Sequence, residues 1–187
     1  KKVGINQPRR MAGMVMLALL RKWGLDIERD LTLVDLGLND KSFDALRAGE
    51  IDAALLPPEK AFLAESEGFS LVAESLELDC HWVPLATTRR FLAANRELVK
   101  KIASIYVESV HLFKNEPQAT QMEIGGWLPA LGKQPQVLKK CYELFAGIFE
   151  PTLTPSLASI ESILDEVALQ DPRARGILAS TLTEKLI

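Results

Sequence analysis

Apolar residues along the first ninety positions fall into short blocks of two kinds. Residues 2–6 (KVGIN) and 31–36 (LTLVDL) are compact apolar runs of strand length, and "IDAALLPP" (51–58) is a third, halted by Pro57 and Pro58. Between them, residues 10–23 carry a helical pattern that Gly24 ends, with Arg21 and Lys22 suited to the helix C-terminus. A short helix runs through Arg47 to Gly49, capped by Asp40 or Ser42, and another spans 59–67 before Gly68. Residues 69–75 and 82–87 read as two further strands. Alternation of this kind predicts a largely parallel sheet with helices on both faces.

From Thr88 onward the pattern changes. Residues 95–115 place Leu98, Val99, Ile102, Ile105, Tyr106, Ser109, Val110 and Phe113 on one face of a long helix that Glu116-Pro117 closes. Further helices are expected at 118–127, 135–149 and 157–169, separated by Gly- and Pro-rich linkers. These helices are amphipathic, yet the segment has almost no strand of its own for them to cover. Residues 1–88 therefore read as an α/β lobe and 89–187 as a helical segment, with no internal repeat or low-complexity tract.

Composition narrows the classes. A chain of 187 residues buries a sizeable core, and a net charge of −3 gives no bias toward nucleic acid or an anionic membrane. The longest apolar run, residues 11–20, is half the length of a spanning helix and contains Gly13. Cys80 and Cys141 lie far apart without a C-x-x-C pattern, and they read as two free, partly buried thiols. The chain opens directly on a strand with no initiator Met or signal peptide, so it is expected to be a cut or processed product.

Catalytic signatures are sparse. His81 and His111 have no metal-like spacing, and H-E-x-x-H, G-x-S-x-G, the Walker loop and G-x-G-x-x-G are all missing. Cys80 and His81 are neighbours, but adjacent strand side chains point to opposite faces, so they do not make a nucleophilic pair. The stretch that asks for a reason is "INQPRRMAG". Two arginines stand at the start of an apolar helix, where their charge opposes the dipole. An open parallel sheet binds its ligands beyond the carboxyl ends of its strands. Unpaired backbone N–H groups and two bidentate guanidinium groups at that place would suit a carboxylate, sulfonate or phosphate. Surface placement of Arg9 and Arg10 in solvent is the plainer alternative.

Several stretches carry a resemblance: "KKVGINQP", "RKWGLDIERDLTLVDLG", "LRAGEIDAALLPPEKAFLAESEGF", "TTRRFLAANRELVKKIASIYVESVHLFKNEP" and "PSLASIESILDEVALQDPRARG". Together they resemble the substrate-binding proteins of ABC transporters of the nitrate/sulfonate/taurine and thiamine-precursor type. The resemblance implies a type 2 periplasmic-binding fold, in which 1–88 is the second lobe and 89–187 the helical segment that completes a first lobe. That first lobe, of roughly a hundred residues, would precede Lys1. It implies a protein without catalysis or cofactor that captures a small solute, such as an anionic sulfonate or nitrate or a thiamine-precursor-like compound, in an interlobe cleft. Delivery would be to an ABC transporter permease, in the periplasm or outside the cell, peripheral to the membrane. Carried onto this chain, the cleft wall is Asn6, Gln7, Arg9, Arg10 and Met11, with Asn39, Leu56, Pro57 and Glu59 beside it. Many members have a small Gly-Ser-type turn where this chain has "QPRRMAG", so sulfonate or nitrate specificity does not carry over. The surface left by a missing lobe would favour a dimer. Two other classes use related scaffolds: the effector lobe of a transcription regulator, marked by a helix-turn-helix, and an enzyme, which would need a His or Cys in the cleft.

Overall fold

Strand β1 (Lys2–Ile5), buried from Val3 to Ile5, takes the centre of a three-stranded parallel sheet, between β2 (Thr32–Asp35) and β3 (Ala53–Ala54). The computed structural model describes residues 1–8, 11–37, 39–74, 85–152 and 154–183, with the backbone alone at Asn39 and Asp40. Val3 lies opposite Leu33 and Ala53, and Gly4 opposite Val34 and Ala54. This is a mixed α/β architecture with a small parallel sheet.

The two faces of β1 are dressed differently. Val3 and Ile5 pack with Met16, Leu17 and Leu20 of α1 (Met11–Lys22), and Leu25, Leu31, Leu33 and Leu55 extend that layer. Because strand side chains alternate, Gly4 and Asn6 turn to the other face. A Cβ on Gly4 would stand 2.7 Å from Cδ1 of Ile51 and 3.0 Å from Cδ1 of Leu36, so the close fit there is made by the missing side chain. The second helix, α2 (Asn39–Arg47), covers this face and buries Phe43. The third, α3 (Pro58–Ser66), starts where Pro57 and Pro58 stop the ladder.

The chain forms two compact units, Lys1–Cys80 with Glu161–Ile177, and His81–Ile160 with Leu178–Ile187. In the first, Arg21 of α1 donates to Glu166 at 2.5 Å, which fixes the returning end of α9 (Leu157–Gln170). In the second, Thr88 caps α4 (Arg89–Ala94) by accepting the Phe91 N–H at 3.1 Å. The long α5 (Arg96–Asn115) follows, and α6 (Pro117–Trp127), α7 (Pro129–Gly132) and α8 (Pro135–Ile148) each begin on a proline, which gives up no helical hydrogen bond at that position. Helices α5 and α8 close each other's ends. The Tyr142 hydroxyl donates to the carbonyls of Phe113 (3.1 Å) and Lys114 (3.3 Å), and Lys114 Nζ donates to Phe149 O at 3.0 Å. Phe113, Tyr142, Phe145 and Phe149 stack beside these bonds. The helical half thus builds an apolar interior from helices alone, and the sheet that its amphipathic pattern called for is not needed to cover this side of α5.

Two expected strands are corrected. The described parts, residues 69–74 and 85–87, are not strands. Leu71 and Val72 are exposed, and β3 is only two residues long, so no burial or ladder offsets the cost of extending the chain there. Residues 75–84, with Cys80 and His81, lie outside the described residues; Cys141 is buried in α8. Among the described residues no helix is long and apolar enough to cross a membrane.

Helices α2 and α3 are tied by Arg47, whose Nε donates to Glu67 Oε2 at 2.7 Å while a second guanidinium nitrogen reaches Oε1. Hydrogen bonding from Arg47 holds the Glu67 carboxyl below its ordinary range. A carboxyl depressed in the folded state contributes stability above its unfolded pKa and loses it as pH falls through the folded value. In urea titrations, Glu67→Gln should therefore lose less stability than the parent between about pH 7 and about pH 3. Equal losses would show that the pair is without effect on folding.

Candidate functional site

The order β2-β1-β3 means that the chain steps from β1 to one side, then crosses back over β1 to the other. With right-handed crossovers, such a reversal puts successive helices on opposite faces. The side chains agree: Val3 and Ile5 meet α1, while Asn6, of opposite phase, meets α2. Open sheets whose winding reverses in this way receive ligands beyond the carboxyl ends of the strands at the reversal, here β1 and β3.

Most of the residues singled out in the sequence lie at that end. Asn6 and Gln7 follow β1 directly, and Met11 is the first residue of α1, half-buried. Leu56 and Pro57 follow β3; extending the Gly4–Ala54 register by two places sets Asn6 beside Leu56. Pro57 accepts the N–H groups of Lys60 (3.0 Å) and Ala61 (2.9 Å) as the α3 cap, and Glu59 sits in that helix's first turn, where a carboxylate is favoured. Asn39 opens α2 at the end of β2, on the far side of β1. Arg9 and Arg10 lie outside the described residues.

What fixes the β1 turn was only partly visible in the sequence. Ser42 is fully buried, and its hydroxyl donates to Asn6 Oδ1 at 2.5 Å. It does not cap α2, which starts three residues earlier at Asn39; its role is to tie the end of the central strand to the helix above it. Asp35, the last residue of β2, was not among the candidates. Its Oδ1 accepts the N–H of Gly37 at 3.0 Å and that of Gln7 at 3.3 Å, so one carboxylate joins the turns after β2 and β1. Its signal was an Asp at a strand end two residues before a glycine, "VDLG".

The turn is also strained and crowded. Gln7 is the one described non-glycine residue with positive φ, at 48°. Such a conformation costs about 1–2 kcal/mol and persists where the surroundings impose it. Gly13 is part of that imposition: a Cβ there would lie 2.6 Å from both Gln7 O and Pro8 Cα, so α1 approaches the turn backbone as only glycine allows.

The Gln7 N–H is already engaged by Asp35. Gln7, Met11 and Leu56 are half-buried at this end of the sheet. No group of three or more His, Cys, Asp or Glu side chains is placed to hold a metal among the described residues. The opposite end of the sheet bears an open depression of about 440 Å³ lined by Lys1, Lys2, Thr32, Glu50, Asp52 and their neighbours. There Asp52 accepts the Lys2 N–H at 2.7 Å, binding the strand starts together, and charges of both signs line an open surface.

No family model matches the chain, and no curated protein or solved structure matches it. The class stands on the fold itself: an α/β chain whose small parallel sheet reverses its strand order at the central strand.

Removal of the Ser42 hydroxyl takes a buried donor from Asn6, and Ser42→Ala should lower unfolding free energy by about 1–3 kcal/mol. Gly13→Ala should cost about 1–3 kcal/mol through forced displacement of the turn. Chemical denaturation checks both; a neutral Gly13→Ala would mean that the turn yields freely.

Proposed function

We propose that this chain is the solute-binding part of an ABC importer, and that it captures a small molecule without transforming it. The observation that carries the reading is the convergence of the Asn6–Gln7 turn and the Leu56–Glu59 turn at the strand-order reversal, the position where open α/β sheets receive ligands. In this reading the type 2 periplasmic-binding architecture supplies the frame, and the "INQPRR" turn supplies polarity and charge. The bound solute would be a sulfonate, nitrate or thiamine-precursor-like compound, handed to a membrane permease from the periplasm or the cell exterior.

A non-catalytic role agrees with the side chains at this end of the sheet. Among the described residues they include amides, apolar groups, and the carboxylates of Asp35 and Glu59; Asp35 is engaged with two backbone N–H groups. His111 belongs to α5, in the other unit. A site held rigid by a buried hydrogen bond and a shared carboxylate favours binding, because little order remains to be lost when the ligand arrives.

Thermal unfolding of the 187-residue chain in the presence of nitrate, an alkyl sulfonate, phosphate or an aminopyrimidine tests the reading. Stabilisation by one of these should grow with concentration, reaching about 2.7 kcal/mol at a hundredfold excess over Kd. For an anionic solute, the double variant Arg9→Ala/Arg10→Ala should lose about 1.5–3 kcal/mol of binding for each arginine that contacts it. Unchanged affinity in that variant would remove the anion from the proposal, and no stabilisation by any compound would remove solute binding.

A further inference from the structure

We propose that α5 is a self-association surface on which two copies of this chain pair antiparallel. The apolar arc of this helix is wider than its own unit covers. Val99, Ala103 and Val110 are buried and Tyr106 and Phe113 half-buried, whereas Leu98 (49 % exposed), Ile102 (42 %), Ile105 (63 %) and Leu112 (58 %) form a second stripe open to solvent. Lone exposed apolar residues are ordinary, but four on one helix line are not scattered.

The stripe has the spacing of a coiled-coil seam. Leu98, Ile102, Ile105, Ser109 and Leu112 follow one another at alternating intervals of four and three residues, the a/d repeat of two packed helices. Ser109, the polar member, already donates its hydroxyl to Ile105 O at 2.8 Å, so its burial leaves no donor unsatisfied. The flanks are unlike. On one side, Val99, Tyr106 and Phe113 turn into the protein's own interior. On the other, Lys101 and Glu108 are exposed, seven residues apart and opposite in charge.

This arrangement commits the surface to a second copy and sets its direction. In a parallel pair, Lys101 and Glu108 would face the flank that is already used for the interior. In an antiparallel two-fold pair centred near Ile105, the charged flanks meet. Lys101 of each copy then comes opposite Glu108 of the other, two ion pairs related by the symmetry axis. The Leu98 end of one helix covers the Leu112 end of its mate. The seam is about 21 Å long and about 10 Å wide, smaller than the roughly 800 Å² per partner of a standard interface, so the dimer is weak and concentration-dependent. The pairing uses α5 alone, and its test requires no solute.

Sedimentation equilibrium of the 187-residue chain over about 5 μM to about 500 μM tests it, with circular dichroism as the check on folding. The parent should pass from monomer to dimer in this range. Ile105→Glu sets two carboxylates together at the axis and should raise the dimer Kd at least tenfold. Lys101→Glu and Glu108→Lys should each weaken the dimer at low salt, and the double exchange Lys101→Glu/Glu108→Lys should recover it, an outcome specific to the antiparallel register. A parent that stays monomeric overturns the proposal and leaves the stripe to a different polypeptide. A dimer untouched by Ile105→Glu overturns it in favour of another surface, and failure of the double exchange to recover association overturns the antiparallel register. Should Ile105→Glu misfold, the charge exchanges alone decide.

Discussion

The organisation of the first unit depends on one buried hydrogen bond, from Ser42 of α2 to Asn6 at the end of β1. A polar pair in an interior contributes little net stability when satisfied but costs much when half-satisfied, so it selects one arrangement over its neighbours. Here that arrangement is the position of α2 over the central strand. If the helix slid by one turn, Asn6 would lose this donor inside a face that Gly4 and Leu36 otherwise make apolar. The same bond holds the residue that begins the β1 turn, and the site's geometry descends from it.

Around that bond, several modest constraints converge on Gln7. Asp35 engages its N–H from β2, Gly13 lets α1 press on its carbonyl, and its own backbone sits in the left-handed region. Each is ordinary alone. Together they hold a strained turn at the place where strand order reverses, and strain that tertiary structure maintains is characteristic of sites that must present side chains in a fixed direction. By accepting from the N–H groups of Gln7 and Gly37, the Asp35 carboxylate also joins the turns after β1 and β2.

Much of this frame was legible in the sequence because its signals are local. Apolar runs of strand length, prolines 57 and 58, and glycines 24, 49 and 68 mark where β1, α1, β2, α2, β3 and α3 begin and end, within a residue or two. The contacts that build the site are not local. Asn6 and Ser42 are 36 residues apart, and Gln7 and Asp35 are 28 apart; no periodicity announces them. The expected strands at 69–75 and 82–87 failed where described because propensity favours extension only when a neighbour supplies the ladder. The short helices α4 and α7 escaped notice since a turn or so of helix has too little period to detect.

Helix α5 shows a different limit. Its sequence assigns Leu98, Ile102 and Ile105 to one face together with Val99, Tyr106 and Val110, and that face is real. Periodicity gives the width of an apolar arc; it does not say how much of the arc the chain itself can cover. The structure divides it. The half nearer Val99 and Val110 is satisfied by the unit's own interior, while the half nearer Ile105 keeps the same apolar chemistry without internal cover. An arc wider than one neighbour can bury is the mark of a helix with two packing partners, since each contact covers roughly a 100° stripe. The first partner is internal. The second has to match a repeat of four and three residues with a Lys and a Glu on its open flank, and a second α5 running in the opposite direction meets all of those terms at once.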